Sequence, residues 1–416
     1  MRRSPEATPP NPRVPRVLLV LPSSTYRAAD FLNAARAVGA EVVVASEEQQ
    51  ALAGEMGKRF ARVDLCEPAA EAARLVGEGL HVDAAIGVDE QGVLLAAHVA
   101  ARLGIPHNPV RAVVTSRDKA LTRIVLSDAG LDQPAHRVVT VDGDVKFAAA
   151  AVGYPCVVKA IGLAGSRGVI RANNPDQLAS AAMRVTSIIA PDGDEEIEPF
   201  LVEGYVPGLE VAVEGLLRSG SLEVLAIFDK PDPLEGPYFE ESIYVTPSRL
   251  PASKQDAVVE TVARACRAMG LVEGPIHAEV RLPDDRPLVL EIAARSIGGL
   301  CSRVLKFGAG ISLEEVIVRH GLGLELGDLQ RSGSASGVMM IPIPKTGALK
   351  SVEGIDDARA VAGVDGIEIM IPVGHDVVAL PEGDRYLGFV FASGETPERV
   401  EASLRQAHFA LGITIE

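Results

Sequence analysis

The segment IHAEVRLPDDRPLVLEIAARSIGG, residues 276–299, restricts the fold more than any other part of the chain. Two runs of alternating apolar and polar residues flank a turn at Pro283 to Pro287, the pattern of an antiparallel hairpin. Centred on Asp285, that hairpin sets Glu279 opposite Glu291 and His277 opposite Ala293. Like charges facing each other on a sheet, with Cβ atoms about 5 Å apart, are destabilising. Either the face is solvated and the two glutamates are unrelated, or a cation lies between them. The apolar surroundings favour the cation, and an oxygen-only pair suits Mg²⁺, which takes one or two carboxylates and completes its shell with water and phosphate oxygens. Mn²⁺ suits the same donors. Arg295 continues the alternation beyond Glu291. It is either a surface arginine ending a strand or a guanidinium beside the metal, where it would stabilise transferring negative charge. Ser296, Gly298 and Gly299 then offer backbone N–H groups to an anion. A lone histidine is more often a hydrogen-bonded structural group than a ligand, so His277 does not join the metal set.

A second segment, YPCVVKAIGLAGSRGVIRA at residues 154–172, reads as strand, glycine-rich connection, strand. A phosphate-binding P-loop runs from strand into helix and ends in GK[ST]. Neither that nor GxGxxG occurs here, so both nucleotide fingerprints lose support. Val157, Lys159 and Ile161 share one face of the first strand. A lysine on so apolar a strand needs an anionic partner or a path to solvent. A phosphate beneath the residues from Gly162 to Gly168 would meet that need.

Elsewhere the texture changes twice. The first hundred residues alternate strand-like and helix-like runs (RVLLVLP, AADFLNAARAVG, EVVVAS, DAAIGV, LLAAHVAARLG), with Gly39 and Gly104 where helices should stop. This βαβ rhythm implies an open, mostly parallel sheet. FLVEGYVPGLEVAVEGLL reads as two strands joined by a hinge at Gly204 to Gly208, and from about Ser332 short strands predominate before a helix from Thr396 to Leu411. With 416 residues and about 150 per domain, three domains are expected. The boundaries are a loose, flexible tail over 1–15, a parallel-sheet domain over 16–115, a central domain over 116–320 divided near residue 200, and a C-terminal α+β domain over 321–416.

The 40 basic and 56 acidic residues leave a net charge of −16, which repels polyanions and argues against nucleic acid and anionic membrane as partners. A nucleotide would need a local cationic pocket. No run of about 20 apolar residues appears, and the apolar stretch Val17 to Leu21 is too short for a signal-peptide core. Cys66, Cys156, Cys266 and Cys301 stand far apart without a CxxC pair, so a reducing cytoplasm is the expected location.

Taken in order, RDK, PCVVKAIGLAGSRGV, LVEGYVPGLE, HAEV and EIAAR resemble the ATP-grasp superfamily over about residues 14–320. FDKPDPLEGPYFEESIYVTPSRLP and LPEGDRYLGFVFASGETPERVEASLRQA resemble its L-amino acid ligases, the dipeptide synthases, and carry the likeness to the C-terminus. The resemblance implies an α/β and α+β multidomain chain, with a Rossmann-like pre-ATP-grasp sheet, an ATP-grasp core and a C-terminal α+β domain. It implies ATP and Mg²⁺ as cofactors, small-molecule amino acid substrates, a carboxylate–amine ligation through an acyl phosphate, and a homodimer. Lys119 and Lys159 would contact ATP phosphates, and Gly162, Gly165, Ser166 and Gly168 would belong to a phosphate lid. Glu203 with the backbone of Tyr205 and Val206 would hold adenine, and Glu210 would meet ribose. Glu279 and Glu291 would bind the metal, and Arg295 would steady the phosphoryl group. Tyr238, Phe239 and Glu241 would border the acceptor, beside Ser296, Gly298 and Gly299. Ala293 stands where the superfamily commonly has Asn, so one metal contact would be missing or replaced by water. Biotin carboxylase, with an RxQVEH-like run where this chain has RSIGGLCSR, is the nearest competing enzyme. The same motifs would also serve a ligase with a carrier-bound or non-amino-acid acceptor, or a nucleotide-binding protein without catalysis.

Overall fold

The computed structural model describes residues 13–48, 59–141, 143–190, 197–331 and 333–416. Residues 1–12 of the expected tail lie outside these, while Arg13 already pairs with Asp83 at 3.2 Å.

The alternating N-terminal runs form a four-stranded parallel sheet, ordered Phe60–Arg62, Glu41–Ser46, Arg16–Val20, Ala84–Gly87. Its strands are apolar because helices cover them: Val17 to Leu21 are fully buried. Gly39 and Gly104 stand at helix ends with φ of 71° and 66°. The chain leaves the strand Arg16–Val20 toward one side and Ala84–Gly87 pairs on the other, so the loops after these two neighbouring strands border one crevice.

A second, antiparallel sheet carries the glycine-rich segment, in the order His136–Val139, Phe200–Gly204, Cys156–Ala160, Val169–Ala172. Helices Val145–Val152 and Pro175–Ile189 cover the face bearing Cys156, Val158 and Ala160. By the two-residue period, Val157 and Lys159 face the other way.

The third sheet has eight strands, every neighbouring pair antiparallel: Leu288–Ala293, Gly274–Leu282, Leu209–Arg218, Ser221–Lys230, Ile243–Thr246, Ala335–Ile341, Gly388–Gly394, Val364–Ile369. It runs without a break across the change of texture near residue 321, because Ile243–Thr246 pairs with Ser336–Met339. The central and C-terminal segments are therefore joined edge to edge through backbone hydrogen bonds. Helix Ala252–Met269 packs on one half of this sheet and helix Pro397–Ala410 on the other.

Residues 205–208 link the second sheet to the third. Gly208 has φ of 105°, and a Cβ there would lie 2.5 Å from Leu282 O, so only glycine lets the link pass so close to the hairpin strand.

Candidate active site

A cavity of about 430 Å³ opens where the carboxyl ends of the parallel strands meet the two antiparallel sheets. The hairpin supplies one wall. Glu279 pairs with Glu291 and His277 with Ala293, and a bulge follows, with Val280 opposite Val289. A bulge re-aims side chains, and here both Leu290 and Glu291 reach the cavity. The two carboxylates have different electrostatic surroundings. Burial, together with Glu241, Glu210 and Glu291, outweighs Lys230 and pushes Glu279 up to about 8. Burial also opposes ionisation of Glu291, but Lys119, Arg295 and Lys159 overcome it and hold that carboxyl low.

Lys119 begins a helix capped by Asp118, which accepts the Leu121 N–H at 2.8 Å. Its ammonium donates to Leu163 O at 2.6 Å and lies 3.4 Å from Glu291, tying the glycine-rich segment to the hairpin. Within that segment Gly165, Ser166 and Gly168 all have positive φ, and Gly162, Gly165 and Ser166 line the cavity, whereas Gly168, expected with them, stands outside the lining and donates its N–H to Pro381 O.

Lys159 finds its anion inside the protein: Nζ lies 2.6 Å from Glu203 Oε2, and Arg123 Nε lies 2.5 Å from Oε1. Burial opposes the Glu203 charge, yet Arg123 and Lys159 hold the carboxyl at about 2. Glu210 is gripped likewise, by Lys230 at 2.7 Å and Arg281 at 2.6 Å. Tyr205 donates its N–H to Pro155 O at 2.9 Å, and Val206 O accepts from Arg281 at 2.6 Å. The Tyr205 ring lies beneath Arg171, 4.1 Å from its centroid, and stacks near Phe239.

Among the described residues, Glu210, Glu241 and Glu279 bring carboxylate oxygens within 4.8 Å of one another. Lys230 already sits among them, hydrogen-bonded to Glu210 and Glu241 and 3.6 Å from Glu279. Its ammonium supplies the positive charge for that trio. Glu279 and Glu291, paired across the hairpin and offering hard oxygen donors, could hold a divalent ion, and burial is the first cause of the raised Glu279 carboxyl.

Arg295 lies 3.1 Å from Glu90, which also lies 3.3 Å from Arg117. Gly298 and Gly299 line the cavity beside it. Two expected substrate residues stand outside this lining. Ser296 is buried with its hydroxyl turned to Arg27 at 2.8 Å, and Tyr238 directs its hydroxyl to Arg184. Phe239 and Glu241 from the same insert do reach the cavity, with Leu234 and Tyr244. His277 lies 3.1 Å from the fully buried Glu214, whose oxygens also accept the Ile297 N–H. Burial raises the Glu214 carboxyl and lowers the His277 ring, so both are driven toward their neutral forms.

Sequence reading missed Glu90, Arg117, Arg123, Lys230, Asp384, Arg385 and Tyr386, of which all but Arg123 and Lys230 line the cavity directly. For Glu90 a signal was present, since DEQ follows a parallel strand at its carboxyl end. Lys230, ending the run VLAIFDK, invited the reasoning applied to Lys159.

The ATP-grasp domain pattern matches residues 152–304, and the L-amino acid ligase C-terminal domain 2 matches residues 339–416. D-alanine–D-alanine ligase of Gloeobacter violaceus is 30% identical over 52% of this chain and 72% of that protein. The chain belongs to the ATP-grasp carboxylate–amine ligases. Alanine–anticapsin ligase of Bacillus subtilis is 27% identical over 58% of this ligase chain and 54% of that protein. Across the first curated relatives, the match spans 28% to 59% of their length. The crystal structure of L-amino acid ligase from Bacillus licheniformis superposes with a TM-score of 0.84 at 24% identity, covering 98% of this chain and 100% of that one. The ATP-grasp fold, with its parallel N-terminal sheet, is thereby established for the ligase. No helix among its described residues is long and apolar enough to cross a membrane.

Proposed function

We propose that this chain joins the carboxylate of one amino acid to the amine of another, using ATP and Mg²⁺ and passing through an acyl phosphate. The observation that carries the proposal is the convergence of Lys119, Lys159, Glu279, Glu291, Arg295 and the glycine-rich segment on one cavity. Amino acids are the substrates this reading favours, because the relatives are named as ligases of alanine and anticapsin and of D-alanine.

In the first step a carboxylate oxygen of the donor attacks the γ-phosphorus and the bond to ADP breaks. In the second the amine nitrogen attacks the acyl carbon, phosphate leaves, and the nitrogen loses a proton to form the amide. Lys119, Lys159 and the segment Gly162 to Gly168 hold the phosphates. Glu203, Tyr205, Val206 and Glu210 border the nucleoside, and on nucleotide binding the ion pairs of Glu203 and Glu210 rearrange or orient the base and sugar. Glu279 and Glu291 would hold Mg²⁺, or Mn²⁺ in its place, and the ion would supply positive charge against the phosphates. Arg295, anchored by Glu90, is directed at the negative charge that develops on the transferring group. Ala293, at 3% exposure beside this pair, would offer such an ion no side-chain donor. The glycine-rich segment and the loops facing it keep water from the acyl phosphate.

Cys66, Cys156, Cys266 and Cys301 are all unpaired, which supports a reducing cytoplasm as the working location. A homodimer belongs to the same reading, and light scattering that finds a single 43.6 kDa species would refute it. The test of the function is phosphate release from ATP and Mg²⁺ across paired L-amino acids, with mass spectrometry of the products. Release that requires both partners and yields their condensed mass is expected. Release with no condensed product for any pair would contradict the assignment of amino acids as both substrates.

A further inference from the structure

Arg27 is fully buried, at the start of helix Ala28–Ala37, yet none of the cavity's chemistry uses it. A buried guanidinium loses hydration that its partners must replace, and the partners here are specific. Nη1 donates to Val88 O at 3.2 Å, and Nη2 donates to Ser296 Oγ at 2.8 Å and to Glu314 Oε1 at 3.2 Å. Glu314 in turn accepts from Ser302 Oγ at 2.5 Å, and the ion pair keeps both side chains within 2% exposure.

Two of those contacts fall on the segments that anchor Arg295. Arg295 has two anchors: its Nε donates to Glu90 Oε2 at 3.1 Å, and its Nη1 donates to Ser296 O at 2.9 Å. Glu90 follows Val88 by two residues, and Ser296 holds the other anchor on its own carbonyl. Arg27 therefore grips the backbone just before one anchor and the side chain of the residue that provides the other. These three pieces come from different parts of the chain: the loop after the first parallel strand, the loop after Ala84–Gly87, and the end of the hairpin. Glu214 adds a further restraint by accepting the Ile297 N–H at 3.1 Å.

We infer that Arg27 and Ser296 are positioning residues for Arg295, setting its guanidinium from beneath the cavity floor through the Val88 and Ser296 contacts. The planar fork of Arg27 meets three acceptors at once, which a lysine ammonium on its flexible stem does not reproduce. The inference rests on the proposed role of Arg295 in the ligation. It also gives Ser296 a role that its place outside the cavity lining would otherwise leave unexplained.

The test compares Ser296→Ala, Arg27→Lys and Arg295→Ala in the full chain. ADP formation is followed with ATP, Mg²⁺ and the L-amino acid pair that wild type turns over best, beside thermal unfolding and calorimetric ADP–Mg²⁺ affinity. Ser296→Ala spares the Arg27–Glu314 ion pair, so its Tm stays near wild type. Its kcat falls about 10- to 100-fold, the order expected when a catalytic group is displaced by about 1 Å, while KM for ATP and ADP affinity are unchanged. Arg27→Lys follows the same split. Independently of turnover, hydrogen exchange in Ser296→Ala rises together at residues 88–92 and 295–299. Wild-type kcat and exchange in Ser296→Ala, or a loss of kcat that tracks Tm and ADP affinity, overturns the positioning role. Wild-type kcat in Arg295→Ala instead overturns the role of Arg295 itself, and the two failures are thereby told apart.

Discussion

Lys159 Nζ lies 2.6 Å from Glu203 Oε2, so the lysine facing the cavity beneath the glycine-rich segment is charge-paired before any nucleotide arrives. Glu203 keeps Arg123 when Lys159 is removed. Lys159→Ala is therefore expected to fold with a Tm close to wild type while kcat falls by about 100-fold or more, as when a group stabilising transition-state charge is lost. Thermal unfolding beside steady-state ADP formation checks this. Wild-type turnover would remove Lys159 from the phosphate site.

Replacing the other partner has a different signature. Glu203→Gln leaves Arg123 and Lys159 without their shared buried counter-charge. A carboxyl displaced from 4.5 to about 2 corresponds to about 3 kcal/mol. Because the folded value is depressed, this stabilisation is complete above about 4.5 and is lost as pH falls toward 2. Denaturant unfolding should show a gap of that order between wild type and Glu203→Gln at pH 7, narrowing steadily below pH 4.5. A gap that does not change with pH would contradict the ion-pair account.

Glu291 is held ionised by Lys119, Arg295 and Lys159 against its burial, as suits a metal ligand. In Glu291→Gln the Mg²⁺ concentration for half-maximal activity should rise by at least about 10-fold, since even outer-shell changes cost that much affinity. Calorimetry of ADP binding with and without Mg²⁺ gives a second reading. Unaltered Mg²⁺ dependence would exclude this carboxylate.

The glycine-rich sheet also touches the C-terminal segment: Arg184 pairs with Glu382 at 2.6 Å and Gly168 donates its N–H to Pro381 O at 2.9 Å. Asp384, Arg385 and Tyr386, just beyond, line the cavity. Arg184 and Glu382 are 43% and 40% exposed, so breaking the pair costs stability less than about 1 kcal/mol. Glu382→Gln should nevertheless raise KM for the amino acid acceptor at unchanged Tm. An unchanged KM in kinetics at low and high salt would show that the contact has no bearing on the acceptor.

The hairpin was legible in the sequence because its alternation has period two and its turn is marked by two prolines, but next to the turn Val280 faces Val289 and Arg281 faces Leu288, a register that would set Glu279 against Leu290; the bulge, which no alternation records, brings Glu279 opposite Glu291. Lys159 was legible on the same ground, as a charge on an apolar strand, although its partner was not. Glu203 meets Arg123 from 80 residues away, and Ser296 meets Arg27 from 269 away. Such pairings depend on how sheets pack, which no local period records. The expected boundary near residue 321 was drawn on composition. Composition, however, does not reveal that Ile243–Thr246 and Ala335–Ile341 pair within one sheet.

The measurement that tests the central claim most directly is oxygen transfer from the carboxylate. With the donor amino acid labelled by ¹⁸O at both carboxylate oxygens, ATP, Mg²⁺ and the second amino acid unlabelled, the released phosphate is analysed by mass spectrometry. Attack of the carboxylate on the γ-phosphorus predicts one ¹⁸O in each phosphate formed with product, and ADP as the nucleotide. Unlabelled phosphate, or AMP in place of ADP, would contradict it.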